Sequence, residues 1–174
     1  MPNWCNNSIM IEGPAEKLAF FVSKLKEPHE DPTVGLFGKF YPRPSDTTKQ
    51  LEEAKDCYLL NLPGLGERES PKESEAWYYW NVHCWGTKWD VPDKELGVDH
   101  TDRRVTLYFD TAWSPPLAWL EKVAETYPSL DFEIEYSESG CDFSGIAKYS
   151  GGEVVSHEEG DFREFGVWEE YEDE

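Results

Sequence analysis

Positive charge is what this chain has least of. It carries 16 Lys and Arg against 36 Asp and Glu, a formal net charge of -20 over 174 residues. That deficit excludes a broad basic surface for gripping nucleic-acid phosphates, and it excludes adsorption to anionic lipid. Long apolar runs are missing too: nothing approaches the roughly 20 residues of a membrane-spanning helix. The opening Met-Pro-Asn-Trp-Cys has no basic and apolar leader, which predicts a cytosolic protein. Cysteine is sparse and scattered. Cys5, Cys57, Cys84 and Cys141 form no Cys-x-x-Cys pair, so reduced and mostly buried thiols are expected.

Signatures of chemistry are also thin. Zinc needs three or four convergent thiolate or imidazole ligands. His83-Cys84 with Cys57, His100 or Cys141 supplies donors without the usual paired spacing, so no metal and no cofactor is expected. Leu62-Pro63-Gly64-Leu65-Gly66 and Tyr149-Ser150-Gly151-Gly152 lack the Walker pattern and its lysine, and read as turns. Ser144 lacks the Gly-x-Ser-x-Gly elbow. No internal repeat of 20–50 residues appears.

What the chain does have is rings: eight Trp, nine Tyr and nine Phe. Large aromatic side chains can build a core from few positions, so one folded domain spanning 1–174 is expected despite the charge. The charge is also uneven. Residues 1–120 hold 19 acids and 13 bases, whereas residues 121–174 hold 17 acids and 3 bases. Most of the excess therefore falls in the last third.

The periodicities predict the elements. Ser8 to Glu12 reads as a strand closed by Gly13-Pro14. Ala15 to Glu27 carries Leu18, Phe21, Val22 and Leu25 on one helical stripe, stopped by Pro28. Pro28 to Pro44 reads as a loop pinned by Leu36, Phe37, Phe40 and Tyr41. Ser45 caps a predicted helix running to about Leu60. Glu73 to Trp85 reads as a helix ended by a left-handed Gly86, followed by the turn Trp85-Gly86-Thr87-Lys88-Trp89-Asp90. Val91 to Asp102 reads as polar connector. Val105, Leu107 and Phe109 alternate as a strand. Ser114 is the expected N-cap of a helix to Tyr127 with Leu117, Leu120, Ala124 and Tyr127 inward, and Trp113 the expected hydrophobic staple. Phe132 to Tyr136, Cys141 to Tyr149 and Glu153 to His157 read as an antiparallel meander. The tail from His157 to Glu174 has nine acids, and its Phe162, Phe165, Val167 and Trp168 predict a docked segment.

Four segments together carry a resemblance: Met1-Pro2-Asn3-Trp4-Cys5-Asn6-Asn7, Trp85-Gly86-Thr87-Lys88-Trp89-Asp90, Thr111-Ala112-Trp113-Ser114-Pro115-Pro116 and Gly140-Cys141-Asp142-Phe143-Ser144-Gly145. The chain resembles the YubB-like family of phage and plasmid proteins from its start to about Tyr149. The resemblance implies a ferredoxin-like domain and a mobile-element setting, and supplies no activity. The strand and helix order fits independently: an α+β ferredoxin-like sandwich, an antiparallel sheet with helices on one face, and a Trp-rich insertion over about 28–104.

Two surfaces are candidate sites. The first is the acidic region, comprising Glu133, Glu135, Glu158, Glu159, Asp161, Glu164, Glu169 and Glu170 with Trp168 among them. Duplex DNA carries one negative charge per about 1.7 Å of axis. Twenty charges at that spacing match roughly 34 Å of duplex, so the region could occupy the basic groove of a nucleic-acid enzyme. The alternative is that the acids merely keep the protein soluble. The second is the turn with Trp85, Lys88, Trp89 and Asp90, which either binds an extended partner or is a packed corner. The expected function is a non-enzymatic, acidic protein-binding module whose partner is a basic host protein, with counter-defence by DNA mimicry as its sharpest form. One alternative is a local single-stranded nucleic-acid binder using that turn with Arg103 and Arg104, where Trp4, Trp77 and Trp80 could stack bases. Another is a cryptic hydrolase built on His83 or His157.

Overall fold

The computed structural model describes residues 2–61 and 70–165. Strand β1 runs from Trp4 to Glu12 and helix α1 from Ala15 to Lys26. The short helices α2 (Leu36–Phe40), α3 (Thr47–Glu53) and α4 (Ala76–Trp80) follow. Then come β2 (Gly97–His100), β3 (Arg104–Ala112), α5 (Leu117–Thr126), β4 (Asp131–Glu138), β5 (Phe143–Ser150) and β6 (Glu153–Gly160). The sheet order is β2-β3-β1-β4-β5-β6, and every neighbouring pair is antiparallel. The first four strands, with α1 and α5 as crossovers, reproduce the split β-α-β-β-α-β pattern of the ferredoxin-like fold. β5 and β6 extend it on the β4 side. Among the described residues no helix is long and apolar enough to cross a membrane.

Alternation explains the sheet. Cys5, Ile9 and Ile11 of β1, Val105, Leu107 and Phe109 of β3, and Phe132, Ile134 and Tyr136 of β4 all point into one core. Leu18, Phe21 and Leu25 of α1 and Trp119, Leu120, Val123 and Ala124 of α5 close it from the helical side. The expected inward stripe of α5 thus shifts: Leu117 and Tyr127 are only partly buried, and Trp119 goes fully inside.

β1 begins four residues earlier than alternation of apolar residues predicts, because Asn7 occupies an inward position. It is buried, and its amide donates to the Cys5 carbonyl at 2.9 Å and to Thr111 Oγ1 at 2.9 Å. A polar side chain can sit in the core when its donors find partners.

Several expectations in the insertion are corrected. The loop over 28–44 contains α2, whose Leu36, Phe37 and Phe40 are buried. Phe37 packs against Trp119 at 4.9 Å, Trp85 at 5.7 Å and Phe109 at 5.8 Å between ring centroids. The helix expected over Ser45 to Leu60 is one short helix plus a 3-10 turn over Tyr58–Leu60. Its cap is Asp46, not Ser45: Asp46 Oδ1 accepts from Thr48 N at 2.8 Å and Lys49 N at 3.4 Å. The helix expected over Glu73 to Trp85 changes pitch twice, from a 3-10 turn to α4 to a π turn over Asn81–Trp85. Gly86 ends it at φ 87°, as its freedom from a Cβ allows. The polar connector over 91–102 contains β2, an edge strand too short and too polar to show apolar alternation.

The entry to α5 also differs. Ser114 is not the N-cap; its hydroxyl donates to the Gly86 carbonyl at 2.6 Å, and Leu117 is the first helical residue. Trp113 is not a staple either. It adopts a left-handed φ of 65° and turns its ring onto Trp89.

All four cysteines are free thiols. Cys5, Cys57 and Cys84 are buried, and burial pushes the Cys5 and Cys84 thiols up to about 12 and about 11. Cys141 is exposed, on the turn whose backbone N–H groups bond Glu138. One thiol per native chain, Cys141, is therefore expected to react with a disulfide reagent such as DTNB, faster than the other three although Glu138 beside it holds its thiol above the ordinary value, with those three following only on unfolding. A thiol count with and without denaturant, repeated on Cys141→Ser, checks this; two or more fast thiols would refute it.

A carboxylated sheet face edged by tryptophans

The helices leave one face of the sheet open among the described residues, and the register shows what that face carries. One row reads Asp110, Asn6, Ser137, Ser144 across β3-β1-β4-β5, and the next reads Tyr108, Ser8, Glu135, Ile146, Glu158 out to β6. The third reads Thr106, Met10, Glu133, Lys148, Ser156, and the last Arg104, Glu12, Asp131, Ser150, Glu153. Asp99 of β2 adjoins Thr106. Adjacent positions in a row are about 4.8 Å apart, and successive rows about 6.7 Å.

Eight carboxylates thus share the face with two cations, and both cations are already matched. Arg104 bonds Glu12 at 2.6 Å and Lys148 bonds Glu133 at 2.8 Å. Contact with Glu133, and the fields of Glu158 and Glu135, hold the Lys148 ammonium above its ordinary value. The remaining acids have no cation on this face.

Of the acids singled out from the sequence, Glu133, Glu135 and Glu158 lie together here. Glu159 does not. It projects from the other face of β6, where its Oε1 accepts from the Tyr136 hydroxyl at 2.7 Å, and His157 Nε2 lies 2.7 Å from that hydroxyl oxygen and 3.4 Å from Glu159 Oε1. Burial, with Glu159 beside it, drives the Tyr136 phenol far up. His157, Glu159 and Tyr136 form a tie that fastens β6 to β4. Asp161 and Glu164 lie on the turn after β6, which is anchored where Ser144 Oγ donates to the Asp161 carbonyl and accepts from Phe165 N. Trp168, Glu169 and Glu170 lie outside the described residues, as does the Leu62–Gly66 turn.

At one end of the face sit three exposed indoles. Trp4, at the outward start of β1, lies 6.2 Å from Trp89, which stacks on Trp113 at 6.5 Å. They are 48%, 39% and 44% exposed, so this is a surface cluster and not core. Lys88 Nζ stands 4.6 Å from the Trp89 ring, 5.1 Å from Trp113 and 5.6 Å from Tyr78, a desolvating cation–π arrangement. Tyr108, 43% exposed, continues the aromatic character onto β3.

The other two residues of the turn are structural. Trp85 is buried, and its indole N–H donates to the Tyr41 carbonyl at 2.9 Å. Asp90 is an internal cap: Oδ2 accepts from Gly35 N and Gly38 N at 2.9 Å each, and Oδ1 from Phe37 N at 2.6 Å and Val91 N at 2.8 Å. Burial lifts its carboxyl above the ordinary value against the pull of these four donors. A Cβ on Gly35 would lie 2.0 Å from the Val91 carbonyl oxygen, so only glycine permits this approach.

Other expectations separate in space. Trp80 is fully buried, with its indole N–H on Glu53 at 2.7 Å, and cannot stack a base. Arg103 and Arg104 stand at the far end of β3 from Trp113. Eight residue steps put roughly 27 Å between them, so they do not form one patch with Lys88. Trp4 and Trp113 were missed as partners of Trp89. The signal for Trp4 was its outward parity in the strand; none marked Trp113. Among the described residues no three His, Cys, Asp or Glu side chains converge to hold a metal ion.

The fold belongs to a recognised class. The chain belongs to the family described as the ferredoxin-like domain in Api92-like protein, matched over residues 85–174, from the tryptophan turn through β6 and the tail. A crystal structure of protein api92 from Yersinia pseudotuberculosis is similar in fold at a TM-score of 0.55 and 11% identity, covering 92% of this chain and 98% of that one. No curated protein matches the chain.

Proposed function

We propose that the open sheet face, with the Trp4-Trp89-Trp113 edge, is a protein-binding surface, and that the chain is a non-enzymatic module whose partner is a basic nucleic-acid-binding protein. The observation that carries this is the charge register. Glu133, Glu135 and Glu158 lie with Glu12, Asp99, Asp110, Asp131 and Glu153 on one rigid sheet, and its two cations are spent on neighbours. Glu12, Asp131, Glu133 and Glu135 stand in succession at about 5–7 Å, with the other four carboxylates about 10–12 Å further out, and the sheet presents this charge to a basic groove without the mobility of a tail. The exposed indoles add the apolar contact area that charge alone does not provide. The mobile-element setting implied by the YubB-like resemblance makes a host defence enzyme a fitting partner, and DNA mimicry a fitting means; that step is analogy.

The test is competition. The protein is titrated against purified basic nucleases and DNA methyltransferases, with displacement of a labelled duplex as readout. Binding should weaken steeply between low and physiological salt. Glu133→Gln/Glu135→Gln/Glu158→Gln should lose at least tenfold in affinity, or about 1.4 kcal/mol. Salt-insensitive binding, or equal displacement by the triple variant, overturns the proposal.

A further inference from the structure

The exposed indoles at the end of the sheet are fixed before any partner arrives. Trp4, Trp89 and Trp113 follow one another at 6.2 and 6.5 Å between ring centroids, with 40° and 25° between successive ring planes. Lys88 Nζ, within 5.1 Å of both Trp89 and Trp113, holds those two rings together and ties them to Tyr78 of α4. Large rings left exposed side by side mark an interaction site, and rings already held in place lose little freedom on contact. Two observations say what kind of chain they would contact.

The first concerns the backbone. β1 is paired with β3 from Trp4 to Glu12 and with β4 from Asn6 onward. Beside the rings, the Asn3 carbonyl takes the Trp113 N–H at 2.9 Å, and the Ala112 carbonyl takes the Ser114 N–H and the Thr87 hydroxyl at 2.9 Å each. These backbone groups are used within the chain, so a segment lying across the rings gains no ladder of hydrogen bonds. Its affinity has to come from ring contact and a low cost of ordering. A polyproline II segment meets both needs: its backbone stays solvated, and proline sets its conformation before binding. It rises about 3.1 Å per residue, so alternate residues advance about 6.2 Å, close to the step from one indole to the next.

The second concerns charge. Inward from Trp4, the next row of the open face holds Asn6 and Asp110, bonded to each other at 2.7 Å, and the row after it holds Tyr108 and Glu135. Glu135 lies two rows along and one strand across from Trp4, roughly 14 Å away. The cations of the face are bonded elsewhere, Arg104 to Glu12 and Lys148 to Glu133. Lys88 stands toward α4, so a positive charge on the segment is favoured at its sheet end.

We propose that the indoles and the acids beside them bind a proline-rich segment of the partner in the polyproline II conformation. Its prolines lie on Trp4, Trp89 and Trp113, and an arginine or lysine about four or five residues further on lies over Asp110 and Glu135. This rests on the reading of the face as a protein-binding surface and specifies what the partner presents there.

The probe is a synthetic peptide of four Ala-Pro repeats with two arginines at each end, titrated into the full-length protein at low salt and followed by calorimetry and tryptophan fluorescence. One control peptide replaces every proline with serine, and the other replaces every arginine with glutamine. The probe should bind with a Kd below about 100 μM, at least about tenfold tighter than the serine control and about threefold tighter than the glutamine control. Trp4→Ala and Trp89→Ala, at exposed positions, should each weaken it about tenfold with an unchanged melting temperature. No binding of the probe, equal binding of the serine peptide, or unchanged affinity in either variant overturns the proposal. So does a dimer on gel filtration that Trp4→Ala dissociates, which would give the rings to a second copy. The duplex-displacement experiment separates this proposal from the reading beneath it. Displacement that survives Trp4→Ala, beside a probe that does not bind, removes the proline segment and leaves the basic partner. A probe that binds as expected, without displacement by the protein of duplex from any enzyme, keeps the proline segment and removes the nucleic-acid enzyme.

Discussion

Asp90→Asn should unfold this protein at a markedly lower temperature, although it changes one atom. Each Asp90 oxygen accepts two backbone N–H groups, Gly35 and Gly38 on one side and Phe37 and Val91 on the other. An asparagine can satisfy only one pair. Whichever way its amide is turned, the NH2 group faces two donors, which lose their acceptor inside the fold. Each stranded buried donor costs about 1–3 kcal/mol, so the loss should be roughly 3 kcal/mol or more. For a chain of this length that lowers the melting temperature by about 10 °C. Differential scanning calorimetry on the variant measures it. A drop below about 2 °C would mean that α2 is held by its rings alone and that the carboxylate is incidental.

Phe37→Ala should cost still more. Phe37 is fully buried, and its ring touches one ring from each of three places: Trp85 from the turn, Phe109 from β3 and Trp119 from α5. The Phe37 carbonyl also accepts the Trp119 indole N–H at 3.1 Å. Removing the ring leaves a cavity where insertion, sheet and helix meet, and such truncations cost about 3–5 kcal/mol. Urea unfolding should show a lower midpoint and an unchanged slope, since the insertion and the sheet unfold as one unit. Two separate transitions, or a loss below about 1 kcal/mol, would show that the insertion folds apart from the sheet.

The contrast between these two residues shows what was legible in the sequence. Phe37 stood among Leu36, Phe40 and Tyr41 as a pinning aromatic, and ring size alone marked it as core. The role of Asp90 could not be read. In the sequence it is one acid among 36, and its four donors come partly from a segment 52 to 55 positions away. Fold class was readable because β1, α1, β3, α5 and β4 carry strong periodicity. β2 was not, since an edge strand buries too little to demand apolar residues. Of the candidate site, the acids of β4 were visible as an outward row. That Glu158 joins them while Glu159 turns away depends on register across two more strands and on the irregularity at Lys148/Tyr149. Side-chain parity within one strand is cheap to predict, and agreement of parity between strands is not. The indole cluster is harder again, because Trp113 reaches Trp89 through a left-handed backbone angle that no propensity announces.

β6 is the last strand of the sheet, and all but its final residue are exposed. Its outer rim of backbone donors and acceptors would ordinarily invite another chain to add a strand. Here the invitation is selective. A second copy of this protein approaching edge to edge would bring Glu153, Glu158 and Glu159 against their own counterparts, and the two would repel. An extended segment rich in lysine or arginine would meet the same rim with opposite charge. Among the described residues the outer edge of β6 thus carries charge that opposes a second copy of itself and complements a basic strand.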